Sequence, residues 1–463
     1  MKKLNSILFL LLLMVAFNLK AQEPTLNEKI STVDDKVNGL LERVATDEAD
    51  LSKLTKIKVS GYIQAQYQNF ENPALLSTSQ NYFSLRRVRV KFTYEAADGV
   101  KFVVQPDFSP QAITLKDAYV TLNDRWTKSF SLWAGKFNRP NYEVEYSSSQ
   151  REMTERSLLI RSIYPGERAI GAKLEFNPIN VPLHVQLAVY NGADALQIKK
   201  ADGTYLYDAK STFVSSGDEN KDFDNGKDLM IRATYNLKLG SFGGLDFGAH
   251  GYFGSLKSMA LTTLSSDYTT IKTAKIGDKI GRNWLGGEFQ LFADVLGGLS
   301  VKGEYIAGKN AAIGFAQTAT VLESANFQNN FAGYYLYLIK NLGKKNQFAF
   351  RYDYYDPNTD IAGKDVTIKG YAATATTAKK FSSKSDLATT TLGFAFHHYF
   401  DDNIRITFSY EIVQNEKVGT SATGVSNYME NYTQNDGQVV KNGLDYSKVI
   451  DQNVFTLRLQ AKF

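Results

Sequence analysis

NVFTLRLQAKF, residues Asn453–Phe463, decides how the rest of the chain is read. Phe455, Leu457, Leu459, Ala461 and Phe463 fall on one side of an extended strand. Thr456, Arg458, Gln460 and Lys462 fall on the other. Side chains alternate across a strand, so a period of two means one apolar face and one wet face. This strand carries two cations on its wet face and an aromatic as its last residue.

The same period recurs upstream. In Asn403–Ile412, Ile404, Ile406, Phe408, Tyr410 and Ile412 oppose Arg405, Thr407, Ser409 and Glu411. In Leu229–Leu239, Leu229, Ile231, Ala233, Tyr235 and Leu237 oppose Met230, Arg232, Thr234, Asn236 and Lys238. Val181–Tyr190, Leu245–Phe253, Leu299–Ala307 and Phe348–Tyr354 repeat the pattern. About sixteen such segments follow Ile57, each near the ~10 residues of a tilted membrane strand.

The connections between them sort by length. Short ones lie at Ala97–Gly99, Asn123–Lys128, Asn177–Asn180, Gly240–Gly244, Ala293–Gly298, Leu342–Lys345 and Asp401-Asp402. Long ones alternate with them at Asn138–Gly166, Gly192–Gly226, Ser255–Gly281, Lys309–Asn330, Asp356–Leu387 and Val413–Gln452. An outer-membrane barrel has short periplasmic turns and long outer loops, whereas a soluble sandwich or propeller has no reason to sort them. The expected fold is therefore all-β, a transmembrane antiparallel β-barrel of about sixteen strands at residues 57–463. In lipid every backbone polar group must pair within the protein, so the last strand must meet the first. Lys58–Gln68 suits that role, with Val59, Gly61, Ile63, Ala65 and Tyr67 facing lipid. Aromatics near strand ends, such as Phe130, Trp133 and Phe137 or Tyr352, Tyr354 and Tyr355, suit interfacial girdles.

The start of the chain agrees. Lys2 and Lys3 precede the apolar run Ile7–Phe17, and Ala21 is a suitable cleavage position. That run is short of the roughly 20 residues of a spanning helix, which favours an export signal over residues 1–21. With no cysteine, the exported chain has no disulfide to hold it. Residues 22–56 carry Leu26, Ile30, Val33, Val37, Leu40, Val44, Leu51 and Leu54 at steps of three and four, broken only at Asp47. That pattern predicts a helix that either joins subunits as a short periplasmic coiled coil or lies on its own domain.

Catalytic signals are poor: no cysteine nucleophile, no HExxH and no glycine-rich phosphate loop. The four histidines, His184, His250, His397 and His398, read as barrel lining, the first three inward by parity. The acidic Gly217–Asp228 misses EF-hand spacing and reads as a solvated turn. No cofactor is expected. A net charge of +5 over 463 residues is too small to suggest nucleic acid.

The inward charges are more informative. Cations concentrate at Arg87, Arg89 and Lys91. Basic rings or ladders in a narrow lumen attract anions, whereas cross-strand pairing would neutralise them. Asn138–Gly166 mixes Arg139, Arg151, Arg156 and Arg161 with four glutamates and with the apolar Met153, Leu158, Leu159, Ile160 and Ile163. Those apolar residues predict a loop folded back into the barrel, or one lying on a subunit interface.

SLRRVRVKF (Ser84–Phe92), TLKDAYVTL (Thr114–Leu122), GKFNRP (Gly135–Pro140), MTERSL (Met153–Leu158) and PGERAIG (Pro165–Gly171) together resemble, in order and spacing, landmarks of the phosphate-selective porin O/P family. The resemblance implies a trimer of sixteen-stranded outer-membrane barrels with an inward third loop, passing small anions such as phosphate or polyphosphate. It places Arg87 and Arg89 on the arginine-rich second strand, Lys116 in the LKDAY-like strand, Lys136 in the GxFxxP-like element and Arg156 in the ERS-like loop segment. The third loop departs from the family pattern in having no lysine cluster. The expected site is thus Arg87, Arg89, Lys91, Lys116, Lys136, Arg139, Arg151, Arg156 and Arg161, serving small anionic solutes without catalysis. Outer-membrane lipid, a homotrimer and the assembly machinery, through Phe463, are the expected partners. The competing expectations are a general or nutrient-specific channel and, from another class, a surface β-barrel that binds a partner or acts as an enzyme.

Overall fold

The computed structural model describes residues 26–72, 80–109, 112–163, 166–192, 198–199, 205–206, 226–258, 262–275, 277–295, 297–317, 322–366, 386–418, 429–433, 439–445, 449–450 and 452–463. The expected signal (1–21) and most of the acidic segment 217–228 lie outside these residues.

Alternating side chains place sixteen strands in one closed antiparallel barrel. They are β1 (Ile57–Phe70), β2 (Asn81–Ala97), β3 (Val100–Ser109), β4 (Ala112–Asn123), β5 (Phe130–Asn138), β6 (Arg168–Phe176), β7 (Leu183–Asn191) and β8 (Lys227–Lys238). The series continues with β9 (Gly243–Lys257), β10 (Lys279–Ala293), β11 (Leu299–Gln317), β12 (Leu322–Leu342), β13 (Asn346–Asp356), β14 (Thr389–Tyr399), β15 (Ile404–Asn415) and β16 (Val454–Lys462). Each pairs with its chain neighbours, and β16 pairs with β1 in the register Tyr62↔Lys462 to Phe70↔Val454. The backbone of Phe463 extends this seam: its N–H donates to Gly61 O at 3.0 Å, and Gly61 N–H donates to Phe463 O at 2.9 Å.

Burial is inverted relative to a soluble protein. Ile63, Leu459, Phe408 and Ile231 are exposed on the outside, while Gln64, Thr456, Arg405 and Arg232 on alternate positions are buried inside. An apolar outer band and a polar interior are what lipid outside and water inside require. Exposed aromatics gather near the short turns, among them Tyr94, Phe102, Phe130, Phe292, Phe400 and Phe463. Trp133 and Phe137 differ from the girdle expectation. Their parity points inward, where Phe137 is buried and Lys173 Nζ sits 4.0 Å from the Trp133 ring centre. Tyr355 likewise packs inside, against Phe331.

One connection is shorter than the sequence pattern predicts. The ladder between β11 and β12 runs from Leu299↔Lys340 to Gln317↔Leu322, well beyond the expected Lys309–Asn330 loop. Alternation fades there, so periodicity gave no strand signal. The backbone pairing is extended from the other side, where Thr263 and Leu264 pair in parallel with Asn326 and Phe327.

The helix α1 (Leu26–Thr55) forms a separate unit with residues up to Lys58. Its Val33, Val37, Leu40, Val44 and Leu51 are all exposed.

Candidate functional site

The connection between β5 and β6, the third on the side opposite the short turns, lies inside the barrel. Two short helices shape it: α2 (Tyr142–Glu145), capped by the Asn141 side chain, and α3 (Leu158–Ser162), capped by Ser157. Val144, Met153, Leu159, Ile160 and Ile163 are buried in one cluster with Phe331, Tyr335, Tyr337 and Tyr355 of the wall. The barrel therefore has an apolar core within its lumen, made by this loop.

Polar contacts fix the loop on several sides. Arg351 donates to Glu155 O at 2.8 Å, and Asp353 accepts from Leu158 N–H at 2.5 Å. His397 meets Glu152 O at 2.7 Å, Lys302 donates to the Glu152 carboxylate at 2.8 Å, and Arg405 donates to Arg151 O at 3.1 Å. Gln64 donates to Ser148 O and Gln460 to Ser149 O. Glu143 closes the loop on itself, accepting from Ser157 N–H and Oγ–H and from the Tyr337 hydroxyl.

The loop carboxylates organise the arginines. Glu155 accepts from Arg86 Nε at 2.8 Å, Arg458 Nη2 at 3.0 Å and Arg87 Nη2 at 3.2 Å, with Arg151 Nη1 at 3.9 Å. Glu167 holds Arg156 at 2.8 Å, Arg168 at 3.0 Å and Arg151 at 3.4 Å. Arg168 also reaches Asp117 at 2.6 Å, and Arg89 reaches Asp107 at 2.8 Å. Guanidiniums outnumber carboxylates here. Arg87 Nε and Arg151 Nε and Nη1 are buried with no hydrogen-bond partner among the described residues.

Two slips in alternation build this concentration. On β2 the outward series is Phe83 and Leu85 before, but Phe92 and Tyr94 after, so Arg86 and Arg87 both turn inward. On β4 the register jumps from Gln105↔Asp117 to Pro106↔Leu115, leaving Lys116 as the extra residue. Proline has no N–H for the ladder, and a bulge accommodates it while turning Lys116 in beside Asp117.

Arg87, Arg89, Arg151 and Arg156 thus meet in one charged cluster, with Lys116 on the adjoining wall. Lys91 is half-buried further along β2. Arg139 is buried, donating to Gly166 O and Arg168 O where the loop leaves and re-enters the wall. Arg161 is exposed, away from Glu155 and Glu167. Lys136 does not join the lumen: it shares parity with Leu132 and Ala134, the outward set, opposite to the buried Phe137. Arg458 also corrects its reading as a water-bathed cation, for it is buried against Gln66, Thr154 O and Glu155. Parity missed Arg86, and Arg168 was not singled out, although both stand in the quoted motifs SLRRVRVKF and PGERAIG.

Burial pushes the Glu155 carboxyl up, but Arg87, Arg458 and Arg86 together hold it well below its ordinary 4.5. Glu167 is likewise lowered: burial opposes, and Arg156 and Arg151 prevail. Burial, with Arg156 and Arg87 beside it, pushes the Arg151 guanidinium down, yet it stays charged at neutral pH. A carboxyl whose folded value is depressed stabilises fully above its unfolded value, and that contribution is lost as pH falls through the folded one. The loop is therefore expected to hold unchanged from about pH 8 to about pH 5 and to loosen only below about pH 4. Hydrogen exchange of residues 148–160 measures this, and loosening above pH 5 would contradict the pairing.

A closed sixteen-stranded barrel with a polar lumen, an apolar outer band and an inward third loop defines the class of outer-membrane porins. Residues 57–283 match the model of the family described as phosphate-selective porin O and P. Among solved structures, an anion-selective porin from Comamonas acidovorans aligns with a TM-score of 0.51 at 10% identity, over 88% of this chain and 99% of that one. Pseudomonas putida OprB, in its high-pH structure, aligns with a TM-score of 0.50 at 9% identity, over 90% of this chain and 96% of that one. At such identities these likenesses speak for the fold. No curated protein sequence matches the chain. The protein is an outer-membrane channel.

Proposed function

We propose that the channel passes small anions, with phosphate or a related oxyanion as its solute, and that the arginine cluster at the third loop selects them. The observation that carries this is Glu155, a single carboxylate shared by Arg86, Arg87, Arg458 and the more distant Arg151. Confined positive charge with low-dielectric walls raises the local anion concentration. The selecting residues are Arg87, Arg89, Arg151 and Arg156, joined by Arg86 and Arg168, with Lys91 and Lys116 on the approach. Arg139 holds the loop base. The match to the family supports the same solute class.

A weaker selectivity is favoured by the opposite wall. There Glu145, Asp246 and Glu288, with Arg232, line a cavity of ≈ 260 Å³ beside Tyr142 and Gln290. Solutes passing that side would meet acids as well as a cation.

The quaternary reading belongs with this one. Residues 1–21 act as an export signal, 22–56 form a periplasmic coiled coil and 57–463 the barrel, three copies making the working unit. The exposed seam Val33, Val37, Leu40, Val44 and Leu51 supports a helix that takes partners. Phe463 offers the assembly machinery an exposed aromatic at the seam.

Planar-bilayer recording tests both parts. Under a KCl gradient the channel should show an anion-selective reversal potential. Arg87→Ala with Arg151→Ala should lower the chloride-to-potassium permeability ratio roughly tenfold. A cation-selective wild type would overturn the anion reading. Insertions should close in three equal substeps, becoming single steps once residues 26–55 are removed; single steps in the full chain would rule out the trimer.

A further inference from the structure

We propose that His250, Glu288 and Glu304 form a binding site for one divalent transition-metal ion, which braces the start of the third loop against the barrel wall. The three residues stand on β9, β10 and β11, away from the arginine cluster. Glu288 and Glu304 are directly opposite each other in the ladder. Like charges so placed repel, and a cation between them would relieve that repulsion. His250 faces the same side one pair along, since Gly248 pairs with Glu288 and His250 with Gly286. Donor atoms of all three lie within 4.8 Å of one another, and all three residues are buried.

The imidazole is the telling member. Its Nε2 is 2.6 Å from Glu304 Oε1 and 3.9 Å from Glu288 Oε2. Yet neither ring nitrogen of this 4% exposed residue makes a hydrogen bond. The close approach without hydrogen-bond alignment leaves both ring nitrogens available to a ligand, and widening the pair by less than about 1 Å gives the ~3.3 Å separation of two donors on one tetrahedral ion. Room for the ring is built in: a Cβ on Gly286 would stand 2.2 Å from His250 Cε1. Trp284 walls the ring edge-on at 5.3 Å between ring centres.

The carboxylates are oriented from behind, as ligands to metals usually are. Glu304 accepts from the Tyr335 hydroxyl and from Asn141 Nδ2, both at 2.7 Å. Glu288 accepts from Arg232 Nη2 at 2.6 Å, and Arg232 also pairs with Glu145. Arg232 is thus shared by Glu288 and Glu145, and Glu304 pairs with no lysine or arginine among the described residues, so the three carboxylates exceed the one guanidinium by two charges, the charge of a divalent ion. One imidazole with two carboxylates suits zinc, manganese or iron(II), whereas calcium and magnesium take oxygen ligands alone. Asn141 is the cap of α2, so an ion held by Glu304 ties the loop's first turn to β11.

The test uses the full chain in detergent, stripped with EDTA, given equimolar zinc and desalted. Wild type should retain zinc one-to-one, and its melting temperature should rise with the logarithm of zinc concentration. His250→Gln and Glu304→Gln should retain none while keeping heat-resistant barrel migration and an unchanged reversal potential. Zinc that is not retained by wild type, or that is retained equally by both variants, overturns the proposal. If a ligand variant fails to assemble, Gly286→Ala decides: it keeps all three ligands but displaces the imidazole. Full zinc retention there counts against the site. Because the readout is metal content, it is independent of which ions the channel passes.

Discussion

Glu155→Gln is expected to be the most damaging single substitution in the lumen. It keeps the size of the side chain and removes the charge that Arg86, Arg87 and Arg458 share. Breaking a buried ion pair by removing one partner costs about 3–5 kcal/mol, because the other charge stays buried and uncompensated. Here three guanidiniums lose their main counter-charge at once, so the upper end of that range applies. Local exchange protection over residues 148–160 should fall, and the urea midpoint with it. The same variant should bind oxyanions more tightly, since it leaves the three guanidiniums without their counter-charge. Millimolar phosphate is therefore expected to restore much of the lost protection and to block chloride current more strongly than in wild type. If stability is unchanged and phosphate has no added effect, the carboxylate is not the organiser of this cluster.

Removing Phe463 should reduce assembled barrel far more than it alters the conductance of the barrels that do form. The residue closes two backbone hydrogen bonds with Gly61 and packs its ring over that glycine. Loss of two such bonds costs roughly 1–3 kcal/mol, or about five- to 150-fold in the closed-to-open ratio of the seam. Gly61→Val should mimic the deletion, because a Cβ there would lie 2.5 Å from Arg89 O and 2.6 Å from the Phe463 ring. Heat-modifiable migration in gels reads the assembled fraction, and bilayer recording reads the conductance. Normal assembly with altered conductance would reverse this assignment.

The barrel was legible because strands in lipid leave a plain trace. Leu459 and Arg458 differ by one position and by the whole difference between hydrocarbon and lumen. Loop lengths added direction. Parity failed where the backbone departs from an ideal ladder. A bulge moves one residue across the sheet, and neither the Arg86-Arg87 slip nor the extra Lys116 opposite Pro106 has a signature in hydrophobicity. Lys136 shows the converse: a motif assigned it to the site, but ordinary alternation turns it outward. The inward loop was foreshadowed by Met153, Leu159 and Ile160. Its partners were hidden, since Glu155 reaches Arg458 across 303 positions of sequence. Of the arginines that looked like a bare ladder, Arg87 is held by Glu155 of the loop, a tertiary fact that cross-strand pairing rules do not cover, whereas Arg89 pairs with Asp107 directly across the ladder.

The loop also bears on how fast the barrel can close. Direct meeting of the first and last strands joins positions as far apart as Gln64 and Gln460, 396 residues. Glu155 touches β2 and β16 together, on either side of the seam, and Ser148 and Ser149 touch β1 and β16. A chain that first docks Arg86 on Glu155 closes only 69 residues, and the second search, from Glu155 to Arg458, is already anchored. The entropy of a loop grows with the logarithm of its length, so this relay saves little free energy. Its benefit is kinetic. Contacts of short separation form early, and they hold a landing surface for the final strand before that strand arrives. The constriction that narrows the finished channel would then have served first as the mandrel on which the wall was wound.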